Sequence, residues 1–214
     1  MTFSLGSTPR SLVKYNNNSI SAITSTGLTS GAMTLIKEQT ASASATIDFV
    51  DGTSDVVLDN TYPIYLFKFI NVHPATDGAN FQFQGNASGG SGFNETITST
   101  LFDAWSKEDG SNSSMAYNSN DLAQETVFQR LTDTGGNGND ECCSGYLQLF
   151  NPSDTTFVKH FISVANTYYS GDFTVQTFGA GYFNTTSAID EIQFKFTSGN
   201  IDAGTIKLYG IKDS

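Results

Sequence analysis

The sequence predicts an all-β fold, an antiparallel β-sandwich of the jelly-roll kind that follows an extended N-terminal arm. Short segments in which apolar and polar residues alternate recur along the chain, as expected for strands with one buried face. Turn-forming Gly, Asn, Asp and Ser separate nearly all of these segments. Helical periodicity is missing from the whole sequence, so about ten or eleven strands are expected to build two packed sheets.

The clearest strands lie near the C-terminus. Residues Ile192–Phe196 alternate between apolar and polar, and Thr205–Tyr209 repeats the pattern. Residues Thr197–Gly204 between them are rich in turn formers. This pattern predicts a hairpin with one apolar face, which must pack on a second sheet.

The remaining elements are predicted in the same way. Tyr62–Val72 is continuously apolar and aromatic, which predicts a central strand covered on both faces. Gly85–Gly92 and Asp103–Leu122 are predicted as loops, the second being the longest polar insertion. The other predicted strands are Met33–Gln39, Ser44–Phe49, Val56–Leu58, Phe81–Gln84, Thr96–Phe102, Thr126–Thr132, Gly145–Phe150, Thr156–Asn166 and Phe173–Phe183.

Composition indicates an aromatic core and a surface with few charges. The 214 residues include 17 Phe and 9 Tyr, which compensate for a hydrophobic fraction of only 38% because each ring buries a large area. Charged residues make up 14%, so Ser, Thr, Asn, Gln and Gly must cover much of the surface. This balance is typical of extracellular and virion β-proteins rather than of cytosolic helical enzymes.

Charge and hydropathy exclude two classes of partner. The net charge of −11 and the lack of clustered Lys and Arg argue against nucleic-acid binding. The longest apolar run, Ile64–Ile70, contains Lys68 and is far shorter than the roughly 20 residues of a membrane span, so no membrane insertion is expected. The first residues lack the apolar core of a signal peptide, which favours release by lysis over secretion.

Residues 1–32 differ from the rest and are predicted to form the arm, with the sandwich domain spanning 33–214. The segment shows little periodicity but holds more apolar residues than a disordered tail usually does. We expect it to dock on its own domain or on a neighbouring subunit, and a loosely packed leader is the alternative. The candidate partner-binding residues of the arm are Phe3, Leu5, Leu12, Val13, Tyr15, Ile20 and Ile23.

The sequence holds no catalytic motif. General acid–base and nucleophilic mechanisms usually need a histidine, and only His73 and His160 are present, neither in a recognisable motif. We therefore predict no enzymatic activity, no catalytic residue and no cofactor, and expect both histidines to hydrogen-bond in or beside the sheet. A glycan hydrolase stays as an alternative, since two of the 21 acidic residues could face each other.

A metal site is not predicted, and the best candidate is weak. The segment Asp133–Glu141 begins like an EF-hand loop, with Asn137 fifth and Gly138 sixth, but its twelfth position is Ser144 instead of Glu. If calcium bound anywhere, its ligands would come from this Gly-rich loop. The candidate ligands are Asp133, Asn137, Asn139 and Asp140.

The only two cysteines, Cys142 and Cys143, are adjacent. Neighbours on a strand point to opposite faces, so they cannot link the two sheets. We expect two free thiols, one of them buried, with a strained vicinal disulfide as the alternative.

Trp105 and Tyr117 are the candidate binding residues of the surface loops. Trp105 is the only tryptophan, and both rings lie in the predicted Asp103–Leu122 loop. Long loops on a compact sandwich often carry function, and exposed rings can stack on sugars. The alternative is that Trp105 plugs one end of the sandwich.

Five stretches of the sequence carry a resemblance to known proteins, and they are Ser42–Phe49, Tyr65–Gln84, Asp121–Leu131, Leu149–Ser163 and Gly181–Ile211. Through them, most of the chain from about residue 30 resembles small virion proteins of tailed bacteriophages that infect marine and other aquatic bacteria. The resemblance implies a β-sandwich component of the particle, located in the virion, assembled in the host cytoplasm and released by lysis. It carries no catalytic motif.

Three functions are weighed on this basis. The first is a non-enzymatic capsid decoration, or cement, protein that binds the particle through its arm and sandwich loops. Its partners would be the major capsid protein or tail components, and it would form a homo-oligomer, expected as a trimer. The second is a tail fibre or receptor-binding tip that contacts host surface glycan through its loops. The third is the glycan hydrolase.

Overall fold

The computed structural model describes residues 32–212, which form antiparallel strands and no helix. None of these residues belongs to a helix that could cross a membrane. The predicted arm and its candidate contacts, Phe3 to Ile23, lie outside the described residues. The strands are β1 (Met33–Thr40), β2 (Ile47–Val50), β3 (Ile64–Pro74), β4 (Phe81–Ala87), β5 (Ile97–Lys107), β6 (Ser113–Tyr117), β7 (Ala123–Glu125), β8 (Gln129–Arg130), β9 (Cys143–Phe150), β10 (Lys159–Tyr169), β11 (Phe173–Phe183), β12 (Ile189–Phe196) and β13 (Ile201–Ile211).

Two sheets of unequal size pack face to face, which confirms the predicted β-sandwich. The large sheet has nine strands in the order β1-β13-β3-β9-β10-β11-β5-β6, with β7 pairing with β5. The small sheet has four strands in the order β2-β12-β4-β8. Every named strand pair is antiparallel.

Eight of the strands follow the connectivity of a jelly roll. Taken along the chain they are β1, β2, β3, β4, β8, β9, β12 and β13. The first pairs with the last, the second with the seventh, the third with the sixth and the fourth with the fifth. The chain is thus wrapped like one long hairpin folded over itself. Strands β5, β6, β7, β10 and β11 are additions that widen the large sheet.

An aromatic cluster between the sheets forms the centre of the core. Phe194 of β12 is fully buried, and its ring centroid lies 5.3 Å from those of Phe67 and Phe69 on the facing sheet. Within its own sheet it stacks on Phe81 at 5.8 Å and meets Phe49 edge to face at 6.1 Å. Edge-to-face and offset pairs at these distances are the favoured aromatic geometries.

A bulge where β3 pairs with β13 reverses the side-chain alternation of β3. The register shifts between Ala203 and Thr205, and Gly204 there has a φ of +112°. A Cβ at Gly204 would lie 2.5 Å from the carbonyl oxygen of Asn71, so only glycine suits this position. The shift turns Val72, instead of Asn71, into the core.

The predicted C-terminal hairpin is wrong. Strands β12 and β13 both exist, but β12 lies in the small sheet and β13 in the large sheet. The turn between them therefore crosses from one sheet to the other. Both strands carry one apolar face, and an arch buries the two faces against each other across the core, whereas a hairpin would place them side by side.

The predicted Asp103–Leu122 loop is also wrong. Strand β5 continues to Lys107, and β6 begins at Ser113, so most of the segment is an antiparallel ribbon. The residues of β6 are all exposed, and their hydrogen bonds to β5 hold them in place without a buried face. Such a strand leaves no apolar alternation in the sequence.

Smaller elements also differ from the prediction. Val56 and Leu58 are buried, but their segment forms no strand. Only Gln129 and Arg130 of the predicted Thr126–Thr132 strand pair with a neighbour. Strand β3 is central, as predicted, since it lies between β13 and β9. The predicted cover on both of its faces is wrong, because Ile70 is 41% exposed on the outer face.

The Phe194 cluster makes a stability prediction with a matched control. Replacement Phe194→Ala leaves a cavity among five or more rings, so we expect the free energy of unfolding to fall by about 3–5 kcal/mol. Phe157→Ala removes the same atoms from a side chain that is 71% exposed, so it should change the free energy of unfolding by about 0.5 kcal/mol or less. Urea unfolding followed by circular dichroism measures both, and equal losses would contradict a core centred on Phe194.

Candidate functional site

The unequal width of the sheets opens a cleft on the inner side of the large sheet. Among residues 32–212, no strand of the small sheet lies beyond β8, and near the β10–β11 turn the Asp133–Thr134 segment lies beside the inner faces of β5 and β11 instead. The space between them is a cleft of about 310 Å³, here named the Trp105 cleft. Its lining includes Asp103, Trp105, Asn112, Asp133, Tyr169 and Phe173.

Strand register explains why these side chains share the cleft. Trp105 pairs with Val175 and Asp103 pairs with Thr177, in an unbroken ladder between β5 and β11. Directly paired residues point to the same face, so the odd-numbered residues of both strands face inward. Phe173 continues this row on β11, and Tyr169 lies opposite it on β10.

Asp103 is the most unusual side chain of the cleft. Only 6% of its surface is exposed. Asn118 Nδ2 donates to its Oδ2 over 2.5 Å, whereas Oδ1 has no hydrogen-bond partner among residues 32–212. A buried carboxylate oxygen without a donor is costly, which makes Asp103 an unused acceptor beside the cleft.

The indole of Trp105 is oriented by a hydrogen bond. Its Nε1 donates to Asn112 Oδ1 over 3.3 Å. Asn112 lies on the β5–β6 turn, where its carbonyl oxygen accepts from Lys107 N. Because Oδ1 of Asn112 is engaged, its Nδ2 group is the part that can donate elsewhere.

The opposite side of the cleft is aromatic. The rings of Tyr169 and Phe173 meet edge to face with centroids 5.8 Å apart, and the short β10–β11 turn joins them. Lys107 Nζ lies 5.9 Å from the Phe173 centroid and 3.3 Å from Asp109 Oδ2. The hydrogen bonds from Ser111, followed by the interaction with Lys107, lower the pKa of Asp109 to about 2. Lys107 is therefore matched by a nearby ionised carboxylate.

A second surface covers the outer face of the same sheet. Even-numbered residues of β5, β10 and β11, which point away from the core, form rows with residues of β6 and β9. Phe102 and Phe178 stack there with centroids 4.7 Å apart. This surface is here named the outer band, and its large apolar and aromatic members are Phe102, Met115, Tyr117, Tyr146, Phe150, Ile162, Val164, Tyr168, Phe178 and Tyr182.

The outer band carries no Asp, Glu, Lys or Arg on the outward positions of β5, β9, β10 and β11. The one histidine of the band is His160, whose ring meets that of Tyr182 edge to face with centroids 5.7 Å apart. The four spacings of about 4.8 Å between these five strands, together with about 30 Å of strand length, give an area of roughly 600 Å². An uncharged area of that size is conspicuous on a chain of net charge −11.

The structure separates the two predicted binding residues, Trp105 and Tyr117. Tyr117 pairs with Phe102 and shares its outward face, whereas Trp105 faces inward. Tyr117 is 63% exposed, and its hydroxyl donates to Asp121 Oδ2 over 2.7 Å. The two rings thus belong to different surfaces, Trp105 to the cleft and Tyr117 to the outer band.

The candidate calcium residues have separate surroundings. Asp133 lines the Trp105 cleft, and Asn137 Nδ2 donates to the carbonyl oxygen of Ala75 over 3.4 Å. Glu141 folds back into its own loop and accepts from Gly138 N. Asn139 and Asp140 are exposed. No group of three or more His, Cys, Asp or Glu within residues 32–212 is arranged to hold a metal ion.

The histidines lie apart from the cleft lining. His73 is half-buried, and its Nε2 lies 3.0 Å from the carbonyl oxygen of Gly138, in line with the predicted hydrogen bonding beside the sheet. Its Nδ1 lies 3.6 Å from Asp202 Oδ2. His160 instead contacts Tyr182 on the outer band.

The cysteines are free, as expected. Cys143 is buried and Cys142 is half-buried. Burial raises the pKa of both thiols, and for Cys143 the neighbouring Cys142 adds to the effect. Raised pKa values keep both groups as unreactive thiols near neutral pH.

Comparison of the chain with protein-family models, with curated proteins and with solved structures finds no match. Functional inference therefore rests on the geometry of the Trp105 cleft and of the outer band.

The thiols make a prediction that reports on the β9 region. In the native protein at pH 8, a thiol-specific reagent such as a disulfide dye should modify Cys142 slowly and leave Cys143 unmodified, because burial keeps both groups protonated. In denaturant both should react at once. Mass spectrometry of the labelled protein gives the site, and fast native labelling of Cys143 would contradict its burial.

Proposed function

We propose that this protein is a non-enzymatic structural component of a phage virion, a capsid decoration protein that packs on the particle through its outer band. The observation that carries the proposal is the uncharged, aromatic outer face of β5, β9, β10 and β11. The resemblance of the sequence to small virion proteins supplies the setting. Jelly rolls are also a frequent architecture of viral capsid domains.

Interface physics supports the outer band as the contact surface. Phe102 and Ile162 are 40% and 43% exposed, so their burial would remove apolar area from water without stripping charges of their solvent. Aromatic residues are enriched and charged residues depleted at the centres of protein interfaces. The roughly 600 Å² of the band approaches the about 800 Å² that each partner buries in a standard interface.

The proposed partners are those expected from the sequence. The band would contact the major capsid protein, and the protein would act as a homo-oligomer, a trimer in the simplest closed arrangement around a three-fold axis. Arm residues Phe3 to Ile23 stay a predicted second contact. Cryo-electron microscopy of intact particles, with this chain located in the map, tests the assignment directly.

Charge placed on the outer band should prevent attachment. Ile162→Glu and Phe102→Glu each put a carboxylate where the proposed contact excludes water, so we expect binding to fall by about tenfold or more. Co-sedimentation of purified protein with particles that lack it measures the loss.

Val127→Glu is the matched control, since Val127 is 54% exposed but lies between β7 and β8, away from the band. It should bind like the unchanged protein. Full binding by both band variants, or a map in which the band faces solvent, would contradict the proposal.

A receptor-binding tip on a tail fibre is the second candidate function. The observation that favours it is the Trp105 cleft, which combines aromatic rings with the buried carboxylate of Asp103. A particle map would distinguish the two functions, because a tip must present the cleft to the outside at the end of the tail.

A further inference from the structure

We infer that the Trp105 cleft binds a neutral saccharide unit. The inference goes beyond the proposed attachment to a particle and does not depend on it. The cleft is built from inward-facing residues of β5 and β11, whereas the outer band uses the outward-facing residues of the same strands. A ligand in the cleft and a partner on the band would therefore occupy opposite faces of the sheet.

The rings of the cleft suit the apolar face of a sugar. A pyranose ring has faces of C–H groups and a rim of hydroxyls, and an indole offers it a large, flat surface. Trp105 is half-buried and is held in orientation by Asn112, so little side-chain freedom is lost on binding. Tyr169 and Phe173 provide further aromatic surface in the lining.

Asp103 supplies the polar contact that such a ligand needs. Asp103 is only 6% exposed, and its Oδ1 has no donor in the described part of the chain. Asp103 lines the cleft, so the hydroxyl of a sugar bound there can donate to its carboxylate. Hydrogen bonds to a charged acceptor are stronger than neutral ones, and here the acceptor lacks a competing protein donor.

The remaining lining favours a hydroxyl-rich ligand over a cation. Asn112 Nδ2 is a donor, which a hydroxyl can accept from but an ammonium group cannot. The ring of Phe173 already has a cation, Lys107 Nζ, near it. Asp103 and Asp133 would both repel acidic sugars. A neutral sugar is repelled neither by Lys107, as a cation would be, nor by the two carboxylates, as an acidic sugar would be.

The size of the cleft limits the ligand. A volume of about 310 Å³ lies at the lower end of the range for small-molecule sites. We therefore expect one sugar ring in the cleft, with neighbouring rings of a longer glycan extending into solvent.

Trp105 is the only tryptophan, so intrinsic fluorescence reports directly on the cleft. The full chain is titrated with the methyl glycosides of glucose, galactose, mannose and N-acetylglucosamine. We expect a saturable change in Trp105 emission with at least one of them. Asp103→Asn should weaken that binding by about tenfold or more, because the new amide offers a donor where the carboxylate offered an acceptor.

Two further variants protect the test against misfolding. Asp48→Asn makes the same chemical change at an exposed site on β2 and should leave the affinity unchanged. Asn112→Ala changes an exposed turn residue and should also weaken binding, even if Asp103→Asn lowers stability. Cooperative thermal unfolding of each variant confirms that it is folded.

Particle binding is measured in parallel. Ile162→Glu should bind sugar normally, and Asp103→Asn should bind particles normally, so that failure of one proposal is not mistaken for failure of the other. The inference is overturned if no neutral glycoside gives a saturable response, or if Asp103→Asn and Asn112→Ala both bind sugar with the affinity of the unsubstituted protein. It is equally overturned if choline, a cationic probe, binds more tightly than every sugar.

Discussion

The contact of Phe194 with Phe67 and Phe69 joins the two sheets and sets the frame for the rest of the molecule. These three rings come from β12 and β3, which lie in different sheets, and their centroids are 5.3 Å apart in both pairs. The contact requires β12 and β13 to lie in different sheets, because their apolar faces meet the core from opposite sides. That separation produces the jelly-roll pairing of first with last strand. The fold thus follows from the burial of large rings in a chain with few aliphatic residues.

Widening one sheet without widening the other creates both candidate surfaces. Strands β10, β11 and β5 extend the large sheet past the edge of the small one. Their outward residues stay uncharged and form the outer band. On the inner face Phe161 and Phe183 still pack on Phe83 of the small sheet, whereas the residues nearer the β10–β11 turn face loops and the Trp105 cleft. Inward positions there include buried hydroxyls of Ser163, Thr167 and Thr177 along with Asp103, which would be out of place opposite an apolar sheet. These polar residues therefore lie on the inner face where the large sheet extends past the edge of the small one.

Much of the fold could be predicted from alternation, but its connections could not. Tyr65, Phe67 and Phe69 mark β3 clearly, whereas the switch to Val72 depends on the bulge at Gly204, far away in sequence. A turn gives no sign of whether it joins neighbours in one sheet or crosses between sheets, which is why the C-terminal hairpin was wrong.

Trp105 could be picked out as the only tryptophan. The residues that share the cleft with it come from β5, β10, β11 and two loops, and only the register between strands brings them together. A second local signal was Asp103, a charged residue between Leu101 and Trp105 on the same face of β5.

The division between eight jelly-roll strands and five added ones has a consequence for how this chain can change. Residues that hold the sandwich closed lie mainly in the eight strands, whereas most of the side chains that contact the outside in our proposals lie in the additions. The excursion from β5 to β7 leaves from β4 and returns to β8, which pairs with β4, so its length can vary without moving either end. Recognition and folding therefore depend on different segments of one chain. The sequence of the added strands can vary while that of the eight jelly-roll strands stays fixed, as in proteins that keep one scaffold and change their binding partner.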